Sequence, residues 1–261
     1  MPDLMFNGVV PVYQVAAAAS HGVLSDHKTI YKFGYNLDIG LTEETVWAVG
    51  GEFDQSTVTS AQTLSIVSTS ANDTNGGTGA WLVAVFGLDA DYNEQSELAI
   101  ALNGTNAVTS SLSYRAVNRV AVAYSGSTKG NVGNITLKQS TSQITLAYIA
   151  ATDSITQQMI YTVPAGYSGY LQDINIIATK AGGGQSPVIE FEVYTWNPTS
   201  ATKYLVKKLF LDVSKETNLV IPQTTANLTG EKVTIFFNAK SDTASSKAFC
   251  SFSMLLMKNR V

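Results

Sequence analysis

His21 and His27 are the only imidazoles in this chain, and both lie near its N-terminus. A Ser-His-Asp nucleophile needs its base held against the serine by a packed scaffold. Neither histidine lies in a strand-end motif, and no G-x-S-x-G elbow or H-E-x-x-H pair occurs. The stretch LDADYNEQSE sets Asp89, Asp91, Asn93 and Glu97 at spacings that resemble an acidic calcium loop. Such a loop requires glycine at its sixth position and a bidentate glutamate at its twelfth; counted from Asp89 these are Glu94 and Ile100. With strand-like sequence on both sides, a solvated β-turn is the expectation.

The glycines of TKAGGGQSP, Thr179 to Pro187, lack the terminal G-K-[ST] and the following helix of a phosphate loop, so they read as a hairpin tip. NDTNGGTG, Asn72 to Gly79, reads the same way. The single cysteine, Cys250, excludes an intrachain disulfide or a multi-thiolate metal site within one chain. Alternation in AFCSFSMLLM marks it as a buried strand residue. Tyr13, Tyr31, Tyr35, Trp47, Tyr92, Tyr167, Tyr170, Trp196 and Tyr204 offer rings for a sugar platform, although large aromatics supply packing area first. No local pattern singles out a glycosidase carboxylate pair. No catalytic, cofactor or metal residue is assigned.

The elements that would carry these residues are strands. The chain has 261 residues, 45% hydrophobic and only 14% charged, so much of its polar surface must be Ser, Thr, Asn and Gln. A net charge of −4 lacks the dense Lys/Arg stripe that sequence-independent duplex binding needs, which argues against nucleic acid as a partner. No apolar run approaches the roughly 20 residues of a spanning helix, and no basic n-region precedes the apolar N-terminus. The reading is a soluble chain with no membrane partner and no export signal.

Residues 1–30 show no sustained period and read as an extended N-terminal arm. From Thr29 onward the pattern is repeated β. AWLVAVFGL alternates with both faces apolar, as in an inner strand; Asn103-Gly104 is a strong hairpin signal; Ile135 and Leu137 answer Ile144 and Leu146 across another hairpin. TDSITQQM, Thr152 to Met159, reads as a polar connector with room for one helical turn. In VIEFEVYTW and KVTIFFNA, alternation predicts half-buried strands with one wet face. YTVPAGYSGYL reads as a hairpin opening the second half, with Pro164 at a strand end and Gly166 in the turn. The fold expected is all-β: two antiparallel β-sandwich, jelly-roll-like domains, residues 31–151 and 152–261, after the arm.

Four stretches carry a resemblance. Phe33, Gly34, Asn36 and Asp38; Thr42, Glu43, Glu44, Trp47, Gly50 and Gly51; Gly87, Leu88, Asp89, Tyr92 and Glu94; and YTVPAGYSGYL occur in that order. The combination resembles a virion structural protein of marine tailed bacteriophages, podovirus-like, in which F-G-x-N-x-D, T-E-E-x-x-W-x-x-G-G, G-L-D-x-x-Y-x-E and Y-T-V-P-A-G-x-x-x-Y-L recur. Leu37 and Ile39 stand where more polar residues are usual. The resemblance implies a protein without enzymatic activity, a capsid decoration, cement or knob-like protein on the virion exterior, assembled in the host cytoplasm and bound to the major capsid protein. It also implies a homo-oligomer, with a trimer as one form. Phe6, Val9, Val10 and Tyr13 of the arm are the expected interface anchors. The alternative is a tail or fibre-associated protein that recognises a host surface glycan.

Overall fold

The computed structural model describes residues 26–180, 187–214 and 217–259. Among them there is no α-helix, and one short 3-10 turn, Gln55–Thr57, is capped by Asp54. The chain opens with β1 (His27–Ile39) and the short β2 (Glu44–Thr45). Then come β3 (Gln62–Ser68), β4 (Ala80–Leu88), β5 (Glu94–Ala101), β6 (Val108–Tyr114), β7 (Ala116–Ser125), β8 (Ile135–Gln139) and β9 (Thr145–Ile149). The last are β10 (Ile160–Thr162), β11 (Tyr167–Thr179), β12 (Val188–Asn197), β13 (Thr202–Asp212), β14 (Asn218–Thr229), β15 (Thr234–Ser241) and β16 (Ser246–Lys258).

These strands form four antiparallel sheets: β1-β16-β11-β14, β10-β15-β12-β13, β6-β3-β8-β9 and β5-β4-β7, with β2 added beside β15. The protein is therefore all-β and antiparallel, as its alternation requires. The partition differs from two successive domains. β1 pairs along its length with β16, from His27 with Met257 to Ile39 with Ser246, so residues assigned to the arm (27–30) and to the first domain (31–39) belong to a sheet of the C-terminal half. Residues 46–159 lie between β1 and β10 as an insertion in the sequence of that half. Counted in chain order, β1 and β10–β16 sit first-eighth-third-sixth in one sheet and second-seventh-fourth-fifth in the other.

The described residues form two hydrophobic cores. One joins Ile174, Ile176, Cys250 and Phe252 of the β1-β16-β11-β14 sheet to Phe191, Val193, Ile235 and Phe237 of the next. The Phe237 and Phe252 rings stack across the gap, centroids 5.4 Å apart. The other core joins Leu64, Ile66, Ile135 and Leu137 to Val83, Val85, Ile100 and Val120. The two meet at β10 and β15. Successive strand side chains point to opposite faces, so Tyr161, Ile235 and Phe237 enter the first core while Ile160 and Phe236 enter the second. The wet face expected for KVTIFFNA is thus dry, because a second unit packs on it.

Local readings change for related reasons. β5 and β6 flank Asn103-Gly104 but belong to different sheets, so that turn passes between sheets instead of closing a hairpin; Gly104 takes φ +59. β8 and β9 do pair, with Ile135 opposite Ile149 and Leu137 opposite Ala147. YTVPAGYSGYL is an arch: β10 and β11 lie in different sheets, and Gly166 turns the chain at φ +75. Residues 152–159 form no helical turn. Thr152 and Ser154 adopt left-handed backbone, and Ile155 and Gln158 bridge to Ala121 and Trp47.

Because β15 seals both cores, Phe236→Ala is expected to lower stability by about 3–5 kcal/mol while calorimetry and tryptophan fluorescence still report one coincident transition. Two separated transitions in the unmodified protein would mean the cores unfold independently.

Candidate functional site

The quoted motifs converge on the joint between the two cores. On β1, Lys32, Gly34 and Asn36 stand opposite Phe252, Cys250 and Ala248, hence on the core side of their sheet. A side chain at Gly34 would put its Cβ 2.8–2.9 Å from backbone atoms of Gln158 and Met159, so glycine is required where the connector crosses. Asn36 Nδ2 donates to Glu44 Oε2 at 3.1 Å. Glu44 also accepts from the Gly40 and Gly51 amides at 3.2 and 3.1 Å. The Trp47 indole donates to the Gly50 and Gly51 carbonyls, both at 3.0 Å. These two glycines have φ +79 and +72, the left-handed region that favours glycine.

The Asp89 to Glu94 motif forms the other side of the joint. Asp89 Oδ1 accepts from the amides of Asp91 and Asn93, each at 2.9 Å, so this carboxylate shapes a turn. Tyr92 O accepts from the Ala165 amide at 2.8 Å and its hydroxyl from Arg115 Nε at 3.0 Å, tying the turn to the arch. Glu94 pairs with Lys28 of β1. No group of three His, Cys, Asp or Glu side chains placed to hold a metal ion occurs among the described residues.

Between these contacts lies a cleft of about 370 Å³. Its walls come from Thr29–Lys32 of β1, the β4 and β5 ends, Asn118 and Arg119 of β7, and Tyr161 of β10. Lys32 is only 7% exposed. Its ammonium donates to the Asn118 carbonyl at 2.6 Å, its one hydrogen bond among the described residues. Arg119 is exposed and makes no ion pair among the described residues. Burial, reinforced by the Arg119 charge, pushes the Lys32 ammonium down to about 7. A buried lysine with one hydrogen bond for three donors is an incompletely satisfied cation. Tyr31, 62% exposed, and Phe86, 38% exposed, stand at its walls. The volume falls within the range of small-molecule sites, which favour junctions between folded units.

The sequence-predicted anchors Phe6, Val9, Val10 and Tyr13 lie outside the described residues, as does His21. His27 begins β1. The candidate aromatics among the described residues do not gather into one platform. Trp47 is core at 5% exposed and packs its ring on Phe53, Tyr31 lines the cleft, and Tyr204 is exposed on β13. Lys32 and Arg119 were not singled out from sequence. The available signal was the alternation Ile30, Lys32, Gly34, Asn36, a strand face with a cation where apolar residues would be usual.

No protein-family description matches this chain, and no curated protein does. Among solved structures, a crystal structure of the infectious bursal disease virus VP2 subviral particle aligns over 97% of this chain and 83% of its own, at 11% identity and TM-score 0.18. A structure of the infectious bursal disease virus Gx strain aligns over 90% and 76%, at 12% identity and TM-score 0.21. Overlaps this poor carry no conclusion about fold or function.

The depressed Lys32 ammonium has a stability consequence. Between about pH 7 and the ordinary lysine value of 10.5 the unfolded chain holds a proton that the folded chain has released, so this group makes stability rise with pH across that window. Lys32→Met is expected to flatten the rise between pH 7 and 9 and to add roughly 1–3 kcal/mol at pH 6. Denaturant titrations of both proteins at each pH check this; an unchanged slope in the variant would count against a buried, depressed lysine.

Proposed function

We propose that this chain is a non-catalytic structural protein of a tailed-bacteriophage particle, decorating or cementing the outer capsid surface by binding the major capsid protein. The observation that carries the reading is the exposed apolar surface of its two outermost strands. β13 and β14 each end their sheet. On β13, Tyr204, Leu205 and Phe210 are 50–57% exposed, and on β14, Val220 and Leu228 are 59% and 61% exposed. Outer strands that expose several large apolar residues are association surfaces. In the proposed assembly they contact the shell or further copies of this chain, a trimer being one such arrangement.

The connectivity supports the same reading. The order first-eighth-third-sixth over second-seventh-fourth-fifth is that of two interlocked Greek keys, so we infer a jelly roll made of β1 and β10–β16, with the β3–β9 sandwich inserted after its first strand. Jelly rolls recur in viral capsid and lectin domains. The resemblance of the joint motifs to marine podovirus virion proteins points the same way. A second reading, a tail or fibre-associated protein that binds host glycan, is favoured by the cationic cleft.

Particle composition discriminates between them: hundreds of copies per virion are expected for decoration, and a few or tens would favour the tail. Leu205→Lys with Phe210→Lys is expected to weaken binding to capsids lacking this protein at least tenfold, with a stability change within about 0.5 kcal/mol. Binding that survives intact would remove β13 as the docking edge. Deletion of residues 1–25 tests the arm. It stops there because residues 27–30 are paired with Leu255, Leu256, Met257 and Met254 of β16, and cutting them would open a sheet.

A further inference from the structure

We propose that the cleft between β1, β5 and β7 binds an acidic sugar, a pyranose bearing one carboxylate, with Lys32 and Arg119 as the cationic partners of that carboxylate. The inference does not depend on whether the chain sits on capsid or tail.

Three observations lead to it. First, the cleft holds positive charge without its complement. Lys32 is buried with a single carbonyl partner, and Arg119 beside it has no ion pair among the described residues. Among the described residues the cleft wall carries one carboxylate, Glu94, and Lys28 already engages it. An anion entering here would satisfy donors that the fold leaves open, and charge-assisted hydrogen bonds to a carboxylate are the strong ones. Second, the occupant has to be small. A volume of about 370 Å³ admits one or two sugar rings, and its walls come from both units instead of running along one sheet edge as an extended peptide would require. Third, the remaining lining suits a polyhydroxy ring. Phe86 offers an aromatic face, and Ser96 adds a hydroxyl. Apolar ring faces with a few positioned polar groups fix the orientation of such a ligand.

The groups facing Lys32 set the pH behaviour. Arg119 on β7 and Lys28 on β1 are cationic, Glu94 on β5 is neutralised by Lys28, and Tyr31 and Tyr161 carry phenols. Burial raises the Tyr161 phenol far above its ordinary value, so it stays neutral throughout the range. Lys32 is then the group whose charge changes between pH 6 and 9. An anion binds its protonated form, so affinity falls as pH rises through that range.

Titration calorimetry of the full chain at pH 6 and low salt, with glucuronate, glucose, acetate and a blocked glutamate as probes, tests the assignment. Glucuronate is expected to bind at least tenfold more tightly than the other three, and at least tenfold more weakly at pH 9. Lys32→Met and Arg119→Gln are each expected to weaken it tenfold or more. Arg119 is exposed, so its variant keeps the test decisive if Lys32→Met fails to fold. No glucuronate binding, or binding unchanged in Arg119→Gln, would overturn the proposal. Equal binding of glucose would remove the carboxylate. Equal binding of acetate would leave an anion site without a sugar, and equal binding of blocked glutamate would make the occupant a protein side chain. Each of those three results also overturns it.

Discussion

The structure depends on one strand pair that is dry on both faces. β15 and its neighbour β10 wall off one hydrophobic core with Tyr161, Ile235 and Phe237 and another with Ile160 and Phe236. Each unit thereby lends the other a side. A strand whose outer residues met water would bury one core and leave Phe236 exposed; docking the inserted unit removes that area from solvent at roughly 25 cal/mol per Å². The polar groups in the wall are satisfied locally. Thr162 and Thr234 share a hydrogen bond of 2.8 Å between hydroxyls, and Asn118 exchanges two bonds with the Thr162 backbone, both 2.9 Å.

The wall explains why the quoted motifs are where they are. F-G-x-N, T-E-E-x-x-W-x-x-G-G and G-L-D-x-x-Y-x-E line the passages by which the chain leaves one unit and returns. Gly34 lets the connector lie against β1, and Glu44 collects three donors at the exit. Tyr92 receives the arch that starts β11. In the joint these residues serve the backbone crossing. They are the types a close backbone crossing demands: glycine for space, a carboxylate for orphaned amides, and tryptophan for area.

Alternation along single strands made the fold class legible, since the period belongs to the strand itself. The burial of Cys250, the solvated Asp89 turn and the inner position of β4 follow from it. Register with distant partners was not legible. Nothing in TIYKFGYNLDIG says that its ladder is β16, more than 200 residues away, so a sequential reading assigns it to the strands that follow. Phe236 fails for the same reason: an alternating strand with Thr and Asn beside it looks half-wet until a second unit covers it. Asn103-Gly104 encodes a tight turn but not whether the flanking strands share a sheet. Of the cleft, the sequence displays only the oddity of Lys32 on an inward face; Arg119 and Asn118 come from a strand more than 80 residues on.

The insertion also accounts for a cleft that is formed before any ligand arrives. Its outgoing and returning passes run antiparallel and are bonded to each other. Met159 donates to the Val46 carbonyl at 2.9 Å and Ala48 to the Gln157 carbonyl at 3.1 Å, while β2 adds to β15 beside them. A unit held by two bonded passes and by a shared wall has little freedom to hinge. The cleft takes β1 from one unit and β4, β5 and β7 from the other, so its shape is fixed by the same contacts that seal the cores. That rigidity makes a buried, under-satisfied Lys32 tolerable: with both units packed, neither wall can relax to hydrate the ammonium fully or close on it. A site preformed in this way spends little free energy on reorganisation when its donors are engaged, which turns a locally unfavourable lysine into a receptor group at the joint.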